Sequence, residues 1–96
     1  MGSFIRPLPH NARILVEWEG QPVKRYAVML QLRIEDAWQN IHLFDNAHGQ
    51  HDSHRYTGSE KQAAEKFVDG SVRKVMPQAI AYLISNWEDI ARSWET

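Results

Sequence analysis

Residues 23–34 read VKRYAVMLQLRI and form the most regular stretch of the chain. From Tyr26 onwards every second residue is apolar, which is the period of a β-strand with one buried face. Gln31 and Arg33 fall on the other side of that strand. The five apolar positions are Tyr26, Val28, Leu30, Leu32 and Ile34. The pattern predicts a strand over residues 23–34, with a sheet built around it.

Two flanking segments predict neighbouring strands. Residues 13–18 alternate apolar and polar side chains, and residues 19–22, EGQP, are typical of a hairpin loop. Residues 38–45 fit a third strand, joined to the central strand by a two-residue turn at Glu35-Asp36. The three strands would form an antiparallel meander.

The two-residue turn also predicts how the second and third strands pair. An unbroken ladder sets Leu30 across from Ile41 and Val28 across from Leu43, which matches the apolar faces of the two strands. The opposite face would then carry a further set of large side chains and would need a helix or a ligand to cover it. That set is Met29, Trp38, His42 and Phe44.

The two ends of the meander are less regular. Pro7 and Pro9 predict that residues 1–11 are an irregular lead-in. Residues 46–49 fit a turn, with Gly49 suited to a positive φ. Residues 51–57 fit either a short fourth strand or an extended loop, so the sheet has three or four strands.

Two helices are predicted after the sheet. Ser59 and Gln62 form a capping-box pattern, which predicts a short helix over residues 60–68. We expect Asp69-Gly70 to stop that helix, although the same pair also fits the turn of a small hairpin. A long amphipathic helix from Met76 would carry an apolar stripe, with Pro77 in its first turn. The stripe is Met76, Ile80, Leu83, Trp87, Ile90 and Trp94. Each large side chain buried on the sheet would contribute roughly 1.5–3 kcal/mol.

These elements predict an α+β fold: an antiparallel meander of three to four strands, then a short helix, then a long C-terminal helix packed on the sheet. A chain of 96 residues is expected to form one domain, 1–96. The absence of cysteine excludes disulfides and thiolate zinc sites, and it suits a cytoplasmic protein. Neither a signal peptide nor an 18-residue apolar segment is found, so no membrane contact is expected. The net charge of −1 lacks the positive field typical of nucleic-acid binding proteins.

Residues 44–49, FDNAHG, followed by Asp52 and His54, resemble the motif of an uncharacterised prokaryotic family of small proteins. That family carries Tyr-Asp-(Thr/Asn)-Ala-His-Gly-x-x-His, and the resemblance extends to residues 16–30 and 86–88. A more distant similarity links the chain to the TumE-type toxins of toxin–antitoxin modules, which have Arg-Tyr-Asp-Asn followed by several histidines. Leu43 and Phe44 replace that Arg-Tyr pair here.

The resemblance to the toxins implies a metal-independent ribonuclease without a cofactor, with RNA and an antitoxin protein as partners. The chemistry would lie in residues 42–56, which hold four of the five histidines. Imidazoles titrate near neutral pH and can act as the base and the acid of RNA cleavage, an aspartate can orient one ring, and Arg55 can stabilise the phosphorane. The candidate catalytic residues are Asp45, His48, His51, Asp52, His54 and Arg55.

Two other interpretations of the same residues stay open. In the first, His48, His51 and His54 bind one metal, with Asp45 or Asp52 as the oxygen ligand. In the second, Asp45 and Asn46 cap a turn, Gly49 supplies its positive φ, and the histidines are half-exposed residues of an edge hairpin. The protein would then be a non-catalytic interaction module, for example a homodimer formed through the C-terminal helix or an edge strand.

Overall fold

A computed structural model describes residues 1–95 of the chain. They form an antiparallel sheet followed by a long helix. The strands are β1 Gly2–Leu8, β2 Ala12–Glu19, β3 Arg25–Ile34, β4 Ala37–Asp45, β5 Asp52–Thr57, β6 Glu60–Lys61 and β7 Glu65–Lys66. Strands β1 to β5 pair in chain order, and the two short strands both pair with β5. The sheet is therefore a five-stranded meander in which β6 and β7 both pair with the outer edge of β5.

One helix, α1 Val72–Glu95, packs across β3 and β4. Ser71 precedes it and accepts a hydrogen bond from the Lys74 backbone N–H at 3.4 Å through its hydroxyl, as an N-cap residue does. The predicted stripe faces the sheet, with Leu83 fully buried. The α+β prediction, a sheet followed by a long C-terminal helix, is confirmed. No helix among the described residues is long and apolar enough to cross a bilayer.

The predicted irregular lead-in over residues 1–11 is wrong, because Gly2–Leu8 form β1. This strand pairs with β2 along its whole length, from Gly2 opposite Trp18 to Leu8 opposite Ala12. Pro7 fits there because β1 is an edge strand, in which a residue without an N–H can face away from the ladder. The open edge of β2 supplies the hydrogen bonds that the segment cannot make by itself.

The predicted short helix over residues 60–68 is also wrong, and so is its stop at Asp69-Gly70. This segment instead pairs with the free edge of β5 through backbone hydrogen bonds. Examples are Gln62 N to Arg55 O and Phe67 N to His51 O, each 2.8 Å. Residues 51–57, for which strand and loop were both predicted, are a strand from Asp52 onwards.

The long helix begins earlier than the apolar stripe predicts. Its first residue is Val72, ahead of Met76, so Pro77 lies inside the helix and not in its first turn. Pro77 lacks the N–H that would bond to the carbonyl of Arg73. The extra turn places Val75 in the core, where it is fully buried.

The two-residue turn between β3 and β4 is confirmed, with positive φ at Glu35 (51°) and Asp36 (64°). The predicted register holds from the turn to Gln31 opposite Asn40 and is wrong beyond that pair. A β-bulge between Leu30 and Gln31 shifts the ladder by one residue, so that Leu30 lies opposite His42 and Val28 lies opposite Phe44. One extra residue on β4 absorbs the shift.

The bulge decides which side chains lie under the helix. We name the side of the sheet that α1 covers the helix face, and the other side the open face. His42 and Phe44 were predicted to lie away from Val28 and Leu30, yet they share the helix face with them. Met29 remains on the open face, beside Leu43. On the helix face the Phe44 ring packs against two aromatic rings, with its centroid 4.5 Å from that of Phe67 and 5.6 Å from that of Tyr82.

Candidate functional site on the open face

Strand β5 divides the histidine-rich segment between the two faces of the sheet. Successive strand residues point to opposite faces, so Asp52 and His54 lie on the open face while Ser53 and Arg55 lie on the helix face. The cross-strand partners agree with this division, since Asp45 pairs with Asp52 on the open face. The predicted site is therefore not one cluster.

Asp45, Asp52 and His54 do come together on the open face. One ligand atom from each of the three lies within 4.8 Å of the others. Asp52 is 2% exposed and His54 is 6% exposed, while Asp45 is partly exposed at the end of β4. We call these three residues the open-face centre. Two carboxylates that face each other across adjacent strands are an unfavourable pair of like charges.

Neighbouring groups hold the members of the centre in place. Gln50 donates from Nε2 to Oδ1 of Asp52 at 2.8 Å. His54 Nδ1 lies 3.1 Å from the carbonyl oxygen of Gln62, and because a carbonyl only accepts, Nδ1 carries the proton. The lone pair of the neutral ring is then on Nε2. Metal-binding histidines are commonly oriented in this way, with the other ring nitrogen donating to a carbonyl.

The lysine that lies opposite Asp52 in the sheet does not neutralise the two carboxylates of the centre. Lys66 lies opposite Asp52 on β7, but its ammonium group is 2.8 Å from the carboxylate of Asp69. None of the salt bridges in the described part of the chain includes Asp45 or Asp52. The open-face centre therefore holds two carboxylates that no lysine or arginine neutralises.

His51 lies apart from the centre and is held by two hydrogen bonds. Its Nε2 is 2.7 Å from the carbonyl of Gly70, so Nε2 donates, and Nδ1 accepts from the hydroxyl of Tyr26 at 2.7 Å. Burial, with the charges of Asp45 and Asp52 adding to it, raises the pKa of Tyr26 to about 12, so the phenol keeps its proton. Both ring nitrogens of His51 are occupied, and the ring ties β3 to the start of α1.

His48 lies in the exposed turn after β4. The expected turn chemistry is confirmed: Asp45 Oδ1 accepts the Ala47 N–H at 3.4 Å, and Gly49 has a φ of 85°. Asn46 bonds to β3 instead, because its side chain accepts from Tyr26 N at 3.0 Å and donates to the Lys24 carbonyl at 2.8 Å. The amide thus continues the ladder past the end of β4.

Arg55 is on the helix face with His42 and Ser53. The Nε2 atom of His42 lies 2.8 Å from Oγ of Ser53. Burial, helped by the positive charge of Arg55 and by His54, lowers the pKa of His42 to about 4, so the ring is neutral at neutral pH. The expectation that the histidines are half-exposed is wrong for the three that are buried, which are His42, His51 and His54.

A domain of unknown function, DUF7718, matches residues 1–96, the whole length of the chain. The chain belongs to this family. No curated protein and no solved structure matches the DUF7718 chain significantly.

In this DUF7718 domain, three of the six predicted catalytic residues meet, namely Asp45, Asp52 and His54, and the other three, His48, His51 and Arg55, lie elsewhere. Several residues that shape these places were not predicted. They are Tyr26, Gln50, Gln62, His42 and Ser53. The alternation of residues 52–57 would have indicated the division between faces, had that segment been assigned firmly as a strand.

Proposed function

We propose that the protein binds a divalent transition metal through Asp45, Asp52 and His54. The observation that carries the proposal is the pairing of Asp45 with Asp52 across two strands, with His54 beside them and no lysine or arginine as counter-charge among the described residues. A divalent cation would turn this repulsion into attraction. The proposal refines the metal interpretation of the sequence, with two carboxylates and one imidazole in place of three imidazoles.

The geometry fits such a metal. Oxygen and nitrogen ligands of one ion lie about 3–3.5 Å apart when each is 2.0–2.2 Å from it. Atoms within 4.8 Å of one another reach that spacing by small side-chain rotations. The Nε2 lone pair of His54 and the rigid pairing of β4 with β5 favour zinc, manganese or iron over the larger calcium ion, which prefers more oxygen ligands.

The test uses protein purified without a histidine tag. Elemental analysis should find one equivalent of metal, and calorimetric titration of chelator-treated protein should give a one-site isotherm with Zn²⁺ or Mn²⁺. The variant Asp45→Asn, His54→Gln should lose this site while it keeps the circular dichroism of the wild type. His48→Gln is the matched control, since His48 lies in the exposed turn. Equal metal binding by wild type and the double variant would refute the proposal.

A second candidate function is RNA cleavage at the same centre, as the TumE-type resemblance implies. The observation that favours it lies on the same face, where the Arg13 guanidinium stacks 4.0 Å above the Trp38 ring. A cation and an exposed aromatic ring are the parts with which proteins bind single-stranded nucleic acid. The Nε2 atom of His54 could accept the proton of a 2′-hydroxyl, next to the carboxylate of Asp45.

Induced expression in bacteria tests this second function. Wild type should arrest growth and fragment cellular RNA, and Asp45→Asn, His54→Gln should do neither. His51 is left unchanged because its loss would destabilise the fold rather than remove a reacting group. Purified protein with and without a chelator then separates the two functions, because cleavage that survives the chelator does not need a metal. If both metal binding and cleavage are absent, the non-catalytic interaction module is favoured.

A further inference from the structure

The helix face carries a cavity that is separate from the open-face centre. Helix α1 lies across β3 and β4, and its C-terminal half leaves a wedge open above β5. The wedge has a volume of about 390 Å³, which is within the range of small-molecule sites. Its walls are β4 and β5 on one side, α1 on the second and the segment from Gln62 to Glu65 on the third.

The strand wall of this cavity presents groups that bind an anion. Arg55 is exposed at the cavity and forms no salt bridge within the described part of the chain. Ser53 lies on the same face of β5, two residues away, with its hydroxyl 2.8 Å from Nε2 of His42. A guanidinium beside a hydroxyl, which the neutral His42 ring holds in place, is an arrangement that binds phosphate oxygens, and the guanidinium forms the charge-assisted hydrogen bonds.

The helix wall presents aromatic rings. Tyr82 is 42% exposed although its ring is fixed against Phe44 and Phe67. Trp94 is held across the cavity by a 3.1 Å hydrogen bond from its indole N–H to the carbonyl of Gly58. Rings that are anchored and yet partly open provide a stacking surface at a low cost in conformational entropy.

Two carboxylates complete the lining. Glu65 and Asp89 are exposed at the cavity, from β7 and from α1. Asp89 is also 3.1 Å from Arg92, whereas Glu65 forms no salt bridge within the described residues. A carboxylate in this place accepts hydrogen bonds from amino groups, such as the exocyclic amines of nucleobases.

We propose that this cavity binds a nucleoside monophosphate unit, with its phosphate on Arg55 and its base stacked on Tyr82. The chemistry fits because one free cation, a stacking surface and a carboxylate match the phosphate, the base and the amino group of a nucleotide. The unit is either a free nucleotide or the terminal residue of an RNA. The phosphate-binding residues differ from the proposed metal ligands, because Arg55 and Ser53 lie on the other face of β5 from Asp52 and His54.

The test is calorimetric titration of the full chain in the presence of a chelator, which removes any contribution of a metal. GMP, AMP and CMP should bind at one site, and UMP should bind more weakly because uracil has no exocyclic amino group. Inorganic phosphate and guanosine alone should each bind more weakly than GMP. If a short 5′-phosphorylated RNA binds as tightly as GMP, the ligand is the terminal residue of an RNA. If GMP binds and this RNA does not, the ligand is a free nucleotide.

Two variants assign the site. Arg55→Gln should weaken GMP binding about tenfold or more, as expected for the loss of a charge-assisted hydrogen bond. Tyr82→Leu should weaken it by a similar factor, because a base stacks on an aromatic ring and not on an isobutyl group. Arg6→Gln on the distant edge strand β1 is the matched control and should bind as wild type does. The proposal is overturned if no nucleotide binds, or if Arg55→Gln and Arg6→Gln bind GMP equally.

Discussion

Replacement of His51 by alanine tests whether this residue supports the fold rather than a reaction. The structure gives it two hydrogen bonds of 2.7 Å, one from the Tyr26 hydroxyl and one to the Gly70 carbonyl, at 8% exposure. Each bond contributes about 1 kcal/mol, and a buried tyrosine hydroxyl left without a partner costs a further 1 kcal/mol or so. The lost packing of the ring adds a similar amount. We expect His51→Ala to lower the free energy of unfolding by about 3–4 kcal/mol.

The assay is urea unfolding followed by circular dichroism, with unchanged m-values required for the comparison. A loss of this size would lower the midpoint by about 2 M for a domain with an m-value of roughly 1.5 kcal/mol/M. Tyr26→Phe removes only the first bond and should cost about 1–1.5 kcal/mol. In the double variant the two losses should not add, because both single changes break that bond.

The control is His48→Ala in the exposed turn, which should change stability by less than about 0.5 kcal/mol. If His51→Ala were as stable as this control, then the two hydrogen bonds would not hold the start of α1 to the sheet. His51 would then not be a structural residue, and it would again be a candidate catalytic residue.

Three further predictions concern α1 and the helix face of the sheet. Phe44→Ala should destabilise the protein by about 3–5 kcal/mol in the same unfolding assay, because the ring is 1% exposed and packed against Phe67 and Tyr82; a loss below 1 kcal/mol would contradict the packing. Pro77→Ala should raise the free energy of unfolding by about 1–3 kcal/mol, since it restores an N–H inside an exposed part of α1; a lower thermal midpoint would contradict this. The pKa of His42 is lowered to about 4 in the folded protein, whereas the unfolded chain takes up this proton near pH 6.5. The contribution of His42 to the free energy of unfolding is therefore complete above pH 6.5, and on the order of 2–3 kcal/mol of it is lost as the pH falls towards 4. His42→Gln should lose correspondingly less stability over that range. Parallel pH profiles of stability for the two proteins would refute this prediction.

The central strands and the long helix could be predicted from the sequence because their patterns depend on local periodicity. From Tyr26 to Ile34 every second residue is apolar, and the stripe from Met76 to Trp94 repeats at the period of a helix. The elements that were missed depend on a partner elsewhere in the chain. Strand β1 exists because β2 offers it an edge, and β6 and β7 exist because β5 does. Local signals such as the Ser59–Gln62 pattern are weak against such tertiary pairing.

The three residues of the open-face centre are among the six predicted site residues, but the sequence did not indicate that the other three lie elsewhere. Asp45, Asp52 and His54 stand out as chemically active residues, and the alternation of a strand explains why they meet. The bulge next to Leu30 has no signal in the sequence that we can identify, and it moved His42 and Phe44 to the helix face. The two bonds of His51 depend on Tyr26 and Gly70, which are 25 and 19 residues away, and only the assembled fold brings them together.

The pairing of β6 and β7 with the outer edge of β5 determines how copies of the chain can assemble through their sheets. Among the described strands, the outer edge of β5 is occupied at one end by β6 and at the other by β7, whereas the outer edge of β1 is free of strand partners. A second copy that joins this sheet by strand pairing can therefore do so at β1. Pairing of β1 with β1 uses that edge in both molecules, so growth by this route ends at two copies and does not continue into a fibre.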